Sequence, residues 1–200
     1  MGRVYRAERI DGSFEREVAL KVAPIGAFDE KARERFYLEQ SLLAGLNHPN
    51  ISQLFDAQVT EEGWPYFVME LVDGGPIDQY CEEHALDVDS RLRLFVGVVD
   101  AVAMAHSRLV IHRDLKPSNV LGGSDGRPKL LDFGLATIVE DDEQTRSTPM
   151  TPKYARPEQL LGQPVTVASD IFQLGHLLHQ ILVGQSIGND QSLADAIRRA

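Results

Sequence analysis

The alternation of apolar and polar positions predicts a strand hairpin near the start of the chain. In the run 18–22, alternation places Ala19 and Lys21 on one face and three larger aliphatic side chains on the other. The turn signal Asp11-Gly12 separates this run from a second strand-like stretch, residues 4–9. The two stretches are therefore expected to pair.

Residues 29–46 have the apolar spacing of an amphipathic helix. The apolar stripe consists of Phe36, Leu43 and Leu46. Glu39 lies on the same stripe, where a carboxylate is costly unless it is paired. Because Lys21 lies on a strand face that offers room beside the small Ala19, the pattern predicts a Lys21–Glu39 ion pair.

Two more helices are predicted in the second half of the chain. The first begins at an Asp89-Ser90 cap and continues to His106. Its predicted apolar face consists of Leu92, Phe95, Val96, Val99, Val102 and Ala103. The second begins at Ser169-Asp170, ends near Val183 and is apolar nearly all round, which is typical of a buried helix. Within it, His176 and His179 have metal-ligand spacing, but core packing is preferred because a third ligand is not evident.

Between these helices lies a polar loop, residues 112–119, with apolar pairs on both sides. If residues 120–121 pair with residues 129–131 as a hairpin, Asn119 and Asp132 lie side by side at its open end. Two such oxygen ligands favour a hard divalent cation, best matched by Mg²⁺ shared with phosphates. Asp114 then lies within reach of a hydroxyl that approaches those phosphates.

Composition narrows the classes of function. Two hundred residues suffice for one sizeable domain, and the net charge of −10 argues against a nucleic-acid binder. The single cysteine, Cys81, excludes internal disulfides and fits a reducing compartment. The longest apolar stretch, residues 94–105, is interrupted by Asp100 and is too short to span a membrane. A soluble, cytoplasmic chain is expected.

The block HRDLKPSN at residues 112–119, followed by DFG at 132–134, resembles the catalytic core of bacterial eukaryotic-like (Hanks-type) serine/threonine protein kinases. The roles that follow come from that family and not from the spacing. The resemblance implies an α+β, two-lobed kinase fold, truncated at both ends. The β-rich small lobe with one helix is expected at residues 1–71 and the mainly helical large lobe at 72–200.

The resemblance implies ATP and Mg²⁺ as cofactors and a protein with Ser or Thr as substrate. Asp114 would orient the substrate hydroxyl and accept its proton, and Lys116 would stabilise the transferring phosphoryl group. Asn119 and Asp132 would hold Mg²⁺. The lysine at position 116 is typical of serine/threonine kinases.

The remaining catalytic residues are implied in the same way. Lys21 and Glu39 match the lysine–glutamate pair of the family's third strand and C helix. Thr151 matches the threonine that ties the activation segment to the catalytic Asp and Lys. In that segment, autophosphorylation is expected at Thr145, Ser147 or Thr148.

A nucleotide site is implied around the start of the chain and the segment between the lobes. Gly2 and Val4 are what the chain contains of the glycine-rich loop, Met69 would lie behind the adenine, and Glu70 and Val72 would bind adenine through their backbone. The cofactor-binding residues implied are Gly2, Val4, Ala19, Lys21, Met69, Glu70, Val72 and Leu121.

The function implied is transfer of the ATP γ-phosphoryl group to Ser or Thr of proteins, with signal transduction as the setting. One alternative is a catalytically impaired fragment or pseudokinase that acts as a nucleotide-binding or regulatory module. A small-molecule phosphotransferase is a second alternative, against which Lys116 and the Pro157-Glu158 block argue. Self-association is a further expectation, because the apolar helix that ends near Val183 would be only partly covered.

Overall fold

A computed structural model describes residues 3–8, 10, 16–22, 30–133 and 166–184. In chain order, the elements are β1 (Arg3–Glu8), β2 (Glu17–Val22), α1 (Glu30–Ala44), β3 (Leu54–Val59), β4 (Pro65–Glu70), β5 (Gly74–Pro76), α2 (Ile77–Glu83), α3 (Val88–Ser107), a 3₁₀ turn (Pro117–Asn119), β6 (Val120–Gly123), β7 (Pro128–Leu130) and α4 (Val167–Val183).

The first four strands form an antiparallel sheet in the order β1-β2-β4-β3. Pairing of β1 with β2 confirms the predicted hairpin. In the β2–β4 register, Ala19 lies opposite Met69 and Lys21 lies opposite Phe67, so all four share one face. Helix α1 covers that face through Phe36, which is fully buried and lies 5.1 Å from the Phe67 ring between centroids.

Strands β5, β6 and β7 form a second antiparallel sheet. Val120 pairs with Leu130 and Leu121 with Lys129, which confirms the hairpin predicted downstream of the polar loop. The isolated parallel bridge between Ile51 and Leu130 joins this hairpin to the segment that follows α1. The second sheet is thereby tied to the first part of the chain.

Helix α3 differs from the prediction in its start and in its buried face. Its N-cap is Asp87, whose carboxylate accepts a hydrogen bond from the Ser90 backbone N–H, so the cap lies two residues before the predicted Asp89. The buried side chains are Leu94, Val98, Ala101, Val102 and Ala105. Leu92 and Val96 are instead exposed, because a helix with apolar residues on several sides can be buried along only the side that meets α4 and the hairpin.

Helix α4 buries its polar side chains and exposes some of its apolar ones. It begins at Val167 after the N-cap Thr166, whose N–H donates to Ser169 Oγ at 3.0 Å, so the predicted cap at 169–170 lies inside the helix. Asp170 and Gln173 are buried. Its exposed apolar side chains are Val167 (42 %), Ile171 (61 %), Phe172 (37 %) and Val183 (58 %), so the described surroundings cover only one face.

Two groups of buried side chains form the core. A small one joins Phe36, Ala57 and Phe67 between α1 and the first sheet. The larger one combines α2, α3, α4 and the second sheet, and also takes in Leu46 and Ile51. Cys81 is buried there as a free thiol, and burial raises its pKa. Among the helices described, none is long and apolar enough to cross a membrane.

Candidate active site

The polar loop is held by one buried carboxylate, Asp170 of α4. Asp170 has no solvent exposure and accepts hydrogen bonds from the backbone N–H groups of His112 (2.8 Å) and Arg113 (2.9 Å). His106 Nε2 lies 2.8 Å from the same carboxylate and forms a third hydrogen bond with it. Arg113 has a φ of 72°, a strained conformation for a non-glycine residue, which these bonds hold in place.

A second side chain of α4, Gln173, was not identified from the sequence. Its Oε1 accepts a hydrogen bond from the Leu115 backbone N–H at 2.8 Å, and the residue is 4 % exposed. Gln173 follows Asp170 by three residues, so both lie on one helix face. The sequence held a signal for this role, since a buried glutamine in a mostly apolar helix needs a polar partner.

The loop brings Asp114, Lys116 and Asn119 into contact. Asp114 Oδ2 accepts hydrogen bonds from Lys116 Nζ at 2.7 Å and from Asn119 Nδ2 at 2.9 Å. Asn119 Nδ2 also donates to the Asp114 backbone oxygen, which leaves Oδ1 as the amide atom directed elsewhere. The Asp114 side chain is 48 % exposed, so a hydroxyl can approach it from solvent.

Lys21 reaches this region from the first sheet. Its Nζ forms a 2.8 Å ion pair with Asp132 Oδ1, and the two side chains are 17 % and 28 % exposed. The Leu131 N–H donates to the backbone oxygen of Asn119 at 2.9 Å, so Asp132 and Asn119 flank the same end of the hairpin. Lys21, Asp114, Asn119 and Asp132 therefore belong to one region where the two sheets meet.

The partner predicted for Lys21 was Glu39, whose side chain lies outside the described residues, so this pair stays a prediction. Gly2, Thr151 and the phosphorylation candidates of the activation segment also lie outside the described residues. The described partner of Lys21 is Asp132. A cation and a carboxylate that pair with each other are also suited to receive a phosphate and a metal ion respectively.

His112 connects the loop to the strand end that precedes Asp132. Its Nδ1 accepts from the Asp114 N–H at 3.3 Å, so Nε2 carries the proton and donates to the Leu131 oxygen at 2.8 Å. The ring is buried and lies 4.8 Å from the Phe133 ring between centroids. Burial lowers the pKa of His112, because the charged form loses its hydration.

This depressed pKa predicts that acid destabilises the fold. At pH values below about 6.5 the unfolded chain binds a proton that folded His112 does not, so the stabilising contribution is present above that pH and is lost as pH falls. Over one pH unit below this value, one such group can change the free energy of unfolding by at most on the order of 1 kcal/mol. Urea unfolding from pH 7.5 to 5.5 should show a shallower decline in His112→Phe than in the parent chain. Identical pH slopes would contradict the assignment.

Among the residues assigned to the nucleotide, Val4, Ala19, Lys21 and Met69 share one face of the first sheet, but their exposure differs. Ala19 is 9 % exposed and lies opposite Met69, whereas Val4, opposite Lys21, is 58 % exposed. Leu121 lies in the second sheet, opposite Lys129. A cavity of about 20 Å³ is lined by Leu43, Leu46, Ile51, Ser52, Leu54, Met69, Asp132 and Phe133, so Met69 and Asp132 lie on a common space.

At the end of β4, Glu70 has more contacts than the sequence predicted. Its N–H donates to the Gln53 oxygen at 2.9 Å and its backbone oxygen accepts from Ser52 Oγ at 3.2 Å. Both carboxylate oxygens of Glu70 accept from Lys129 Nζ at 2.8 Å. Val72 follows in the irregular segment that leads to β5. The Glu70–Lys129 ion pair thus links the first sheet to the hairpin that holds the metal-ligand candidates.

We expect this pair to stabilise the junction between the two sheets. Its side chains are 28 % and 16 % exposed, so replacing Lys129 by methionine leaves a half-buried carboxylate and should cost about 1–3 kcal/mol. A double-mutant cycle with Glu70→Gln should show a coupling of about 1 kcal/mol.

The exposed Arg6–Glu17 pair provides the matched control for this cycle. Solvent screens it, so a cycle on Arg6 and Glu17 should give a coupling too small to measure. Equal coupling energies in the two cycles would contradict a special role for Glu70 and Lys129.

Comparisons with known proteins agree with this geometry. The family model "Protein kinase domain" matches residues 1–199. A probable serine/threonine-protein kinase PknB of Lactococcus lactis is 38 % identical over 205 residues, covering 99 % of this chain and 32 % of that protein. The DNA damage-responsive serine/threonine-protein kinase RqkA of Deinococcus radiodurans is 39 % identical over 190 residues, covering 91 % and 28 %. The chain thus spans about a third of the length of these curated relatives.

A solved structure supports the same family. A variant of the Mycobacterium tuberculosis PknI kinase domain is similar to this chain, with a TM-score of 0.72 and 31 % identity, over 93 % of this chain and 71 % of that one. The sheet with its helix, followed by a hairpin and further helices, is consistent with the two-lobed kinase fold. The chain belongs to the protein kinase family.

Proposed function

We propose that the chain is the catalytic part of a serine/threonine protein kinase, which transfers the γ-phosphoryl group of ATP to Ser or Thr hydroxyls of a protein. The observation that carries the proposal is the arrangement of Asp114, whose Oδ2 is held by Lys116 and Asn119 while the side chain stays half exposed. The curated relatives of this chain are named as serine/threonine-protein kinases.

Each loop residue has a distinct task in this proposal. Asp114 orients the substrate hydroxyl and accepts its proton. Lys116, 2.7 Å from that carboxylate, is placed to stabilise negative charge on the transferring group. Asp170 and Gln173 hold the loop through backbone N–H groups, so the reactive side chains need little reorganisation.

The chemistry of the donor set fits Mg²⁺ and ATP. Asp132 has a carboxylate and Asn119 an amide oxygen not used toward Asp114, and these are hard oxygen ligands. When bound, ATP·Mg²⁺ supplies the activated phosphoryl group. Lys21 is placed to bind its phosphates, with Glu39 and Thr151 in the supporting roles that the family assigns. We further propose that ATP is surrounded by the remaining residues that the resemblance assigns to the nucleotide. These are Gly2, Val4, Ala19, Met69, Leu121 and the backbone of Glu70 and Val72.

We place the boundary between the lobes at residues 71 and 72, where β4 has ended and the second sheet has not begun.

The proposed setting is cytoplasmic signal transduction. ATP is the phosphoryl donor, and the buried free thiol of Cys81 fits a reducing compartment. The proposed partner is the protein substrate.

Incubation with γ-labelled ATP, Mg²⁺ and a generic protein substrate tests the proposal. Label is expected on serine and threonine and not on tyrosine, and small alcohols should remain unlabelled. A chain that binds ATP without transferring label would support the regulatory-module alternative. Label found only on small molecules would support a small-molecule phosphotransferase.

A further inference from the structure

A cavity of about 520 Å³ lies between α3 and the turn of the β6–β7 hairpin, outside the candidate active site. This volume falls within the range of roughly 300–1,000 Å³ that is common for ligand sites. Its lining includes Tyr80, Leu86, Arg93, Leu94, Arg127 and Pro128. Of the assigned residues that the structure describes, none that belongs to the nucleotide site or to phosphoryl transfer lines it.

The floor of the cavity is apolar and is made by regular elements. Leu94 of α3 is 6 % exposed and Pro128 of β7 is buried. At Gly97 of α3, a Cβ would lie 2.9 Å from Pro128 Cγ, so the helix and the hairpin approach closely there and close one end of the cavity. Tyr80 of α2 packs against Gly122 and completes the apolar wall. The cavity is therefore a consequence of how rigid elements pack.

The cationic rim consists of two arginines from different elements. Arg93 and Arg127 are both exposed, and neither forms a salt bridge within the part of the chain that the structure describes. Arg93 donates to Ser90 Oγ at 2.8 Å, a neutral acceptor. Asp87, whose pKa is lowered mainly by its hydrogen bonds to Ser90 and less by Arg93, does not line the cavity.

The described residues that line the cavity carry positive charge and no negative charge. Asp and Glu outnumber Lys and Arg by 30 to 20 in the chain, yet these lining residues include two arginines and no carboxylate. An arginine without a carboxylate partner can bind one in bidentate geometry. A ligand that matches both parts of the cavity therefore combines apolar groups for the floor with carboxylates for the rim.

We propose that this cavity docks an extended segment of a partner protein in which acidic side chains flank large apolar ones. Alternation along an extended peptide places apolar and acidic side chains on opposite sides, so one side meets the floor while the other reaches the rim. A simple carboxylate would leave the floor uncovered, and an uncharged hydrophobic group would leave the arginines unpaired. The proposal does not depend on phosphoryl transfer, because docking can be measured without catalysis.

Fluorescence anisotropy with the full chain tests this. The probe is a fluorescein-labelled octapeptide of alternating glutamate and leucine, and the control peptides replace all glutamates by glutamine or all leucines by serine. Both control peptides should bind at least tenfold more weakly than the probe. Arg93→Glu and Arg127→Glu should each weaken binding of the probe about fivefold, and the double variant at least twentyfold.

Arg108→Glu is the matched control, because it makes the same change of charge at an exposed position, the C-cap of α3, that does not line the cavity. It should bind the probe within twofold of the parent. Circular dichroism must show that each variant is folded, and an unfolded one is replaced by its glutamine counterpart.

Three results would overturn the proposal. The first is binding unchanged in the double variant, and the second is an equal loss in Arg108→Glu. The third is displacement of the probe by N-acetylleucine at an affinity equal to that of the peptide, which would indicate a small-molecule site. Probe binding that depends on both arginines and on both kinds of peptide side chain supports it.

Discussion

Replacement of Asp114 by asparagine is expected to lower the rate of phosphoryl transfer by about 10²- to 10⁴-fold, the range that a positioned general base contributes. The substitution keeps the size of the side chain. It removes the negative charge that Lys116 pairs with at 2.7 Å and the group that accepts the substrate proton. The initial rate of label transfer from γ-labelled ATP measures the effect.

Two further measurements make this result specific to catalysis. The affinity for ATP should remain within about threefold of the parent, because Asp114 is not among the proposed nucleotide ligands. Asp100→Asn, an exposed acid of α3, provides the control and should retain the parent rate. A transfer rate in Asp114→Asn close to that of the parent would remove Asp114 from its proposed role.

The second large effect concerns stability. Asp170→Ala should lower the free energy of unfolding by about 3–5 kcal/mol, because the buried carboxylate accepts three hydrogen bonds whose donors then lose their partner. Its residue exposure is zero, so water cannot substitute for it in the folded chain. Urea unfolding followed by circular dichroism measures the loss.

Asp170→Asn retains one oxygen acceptor and should lose less stability than Asp170→Ala, which keeps the test informative if the alanine variant does not fold. Asp100→Ala, on the exposed side of α3, should change stability by no more than about 0.5 kcal/mol. If Asp170→Asn were as stable as the parent, the hydrogen bonds to His112 and Arg113 would contribute little to stability.

Helix α4 and strand β2 show how far sequence patterns were reliable. The apolar pattern predicted that α4 is a buried helix, but the cap predicted at Ser169-Asp170 was wrong. Asp170 lies inside the helix and accepts hydrogen bonds from the backbone of the loop at residues 112–113. Alternation correctly placed Ala19 and Lys21 on one strand face. By contrast, α3 is apolar on more than one side, so its buried face could not be chosen without knowing which elements pack on it.

Contacts between residues far apart in the chain could not be predicted from the sequence patterns either. In the sequence, Lys129 is a lysine within a short predicted strand. Glu70 lies near the end of another predicted strand, 59 residues earlier. Their ion pair exists because the segment that follows α1 hydrogen-bonds to both Glu70 and Leu130, which holds the two strand ends together. No periodicity within either strand contains that information.

The sequence by itself determined the local elements, because side-chain period acts over a few neighbouring positions. It predicted the chemistry of the loop at residues 112–119 through the resemblance to the kinase family. Only the tertiary structure decided which distant groups meet: Lys21 with Asp132, Glu70 with Lys129, and the loop N–H groups with Asp170 and Gln173. These contacts depend on how whole elements pack, and packing is a property of the complete set of surfaces rather than of any single segment.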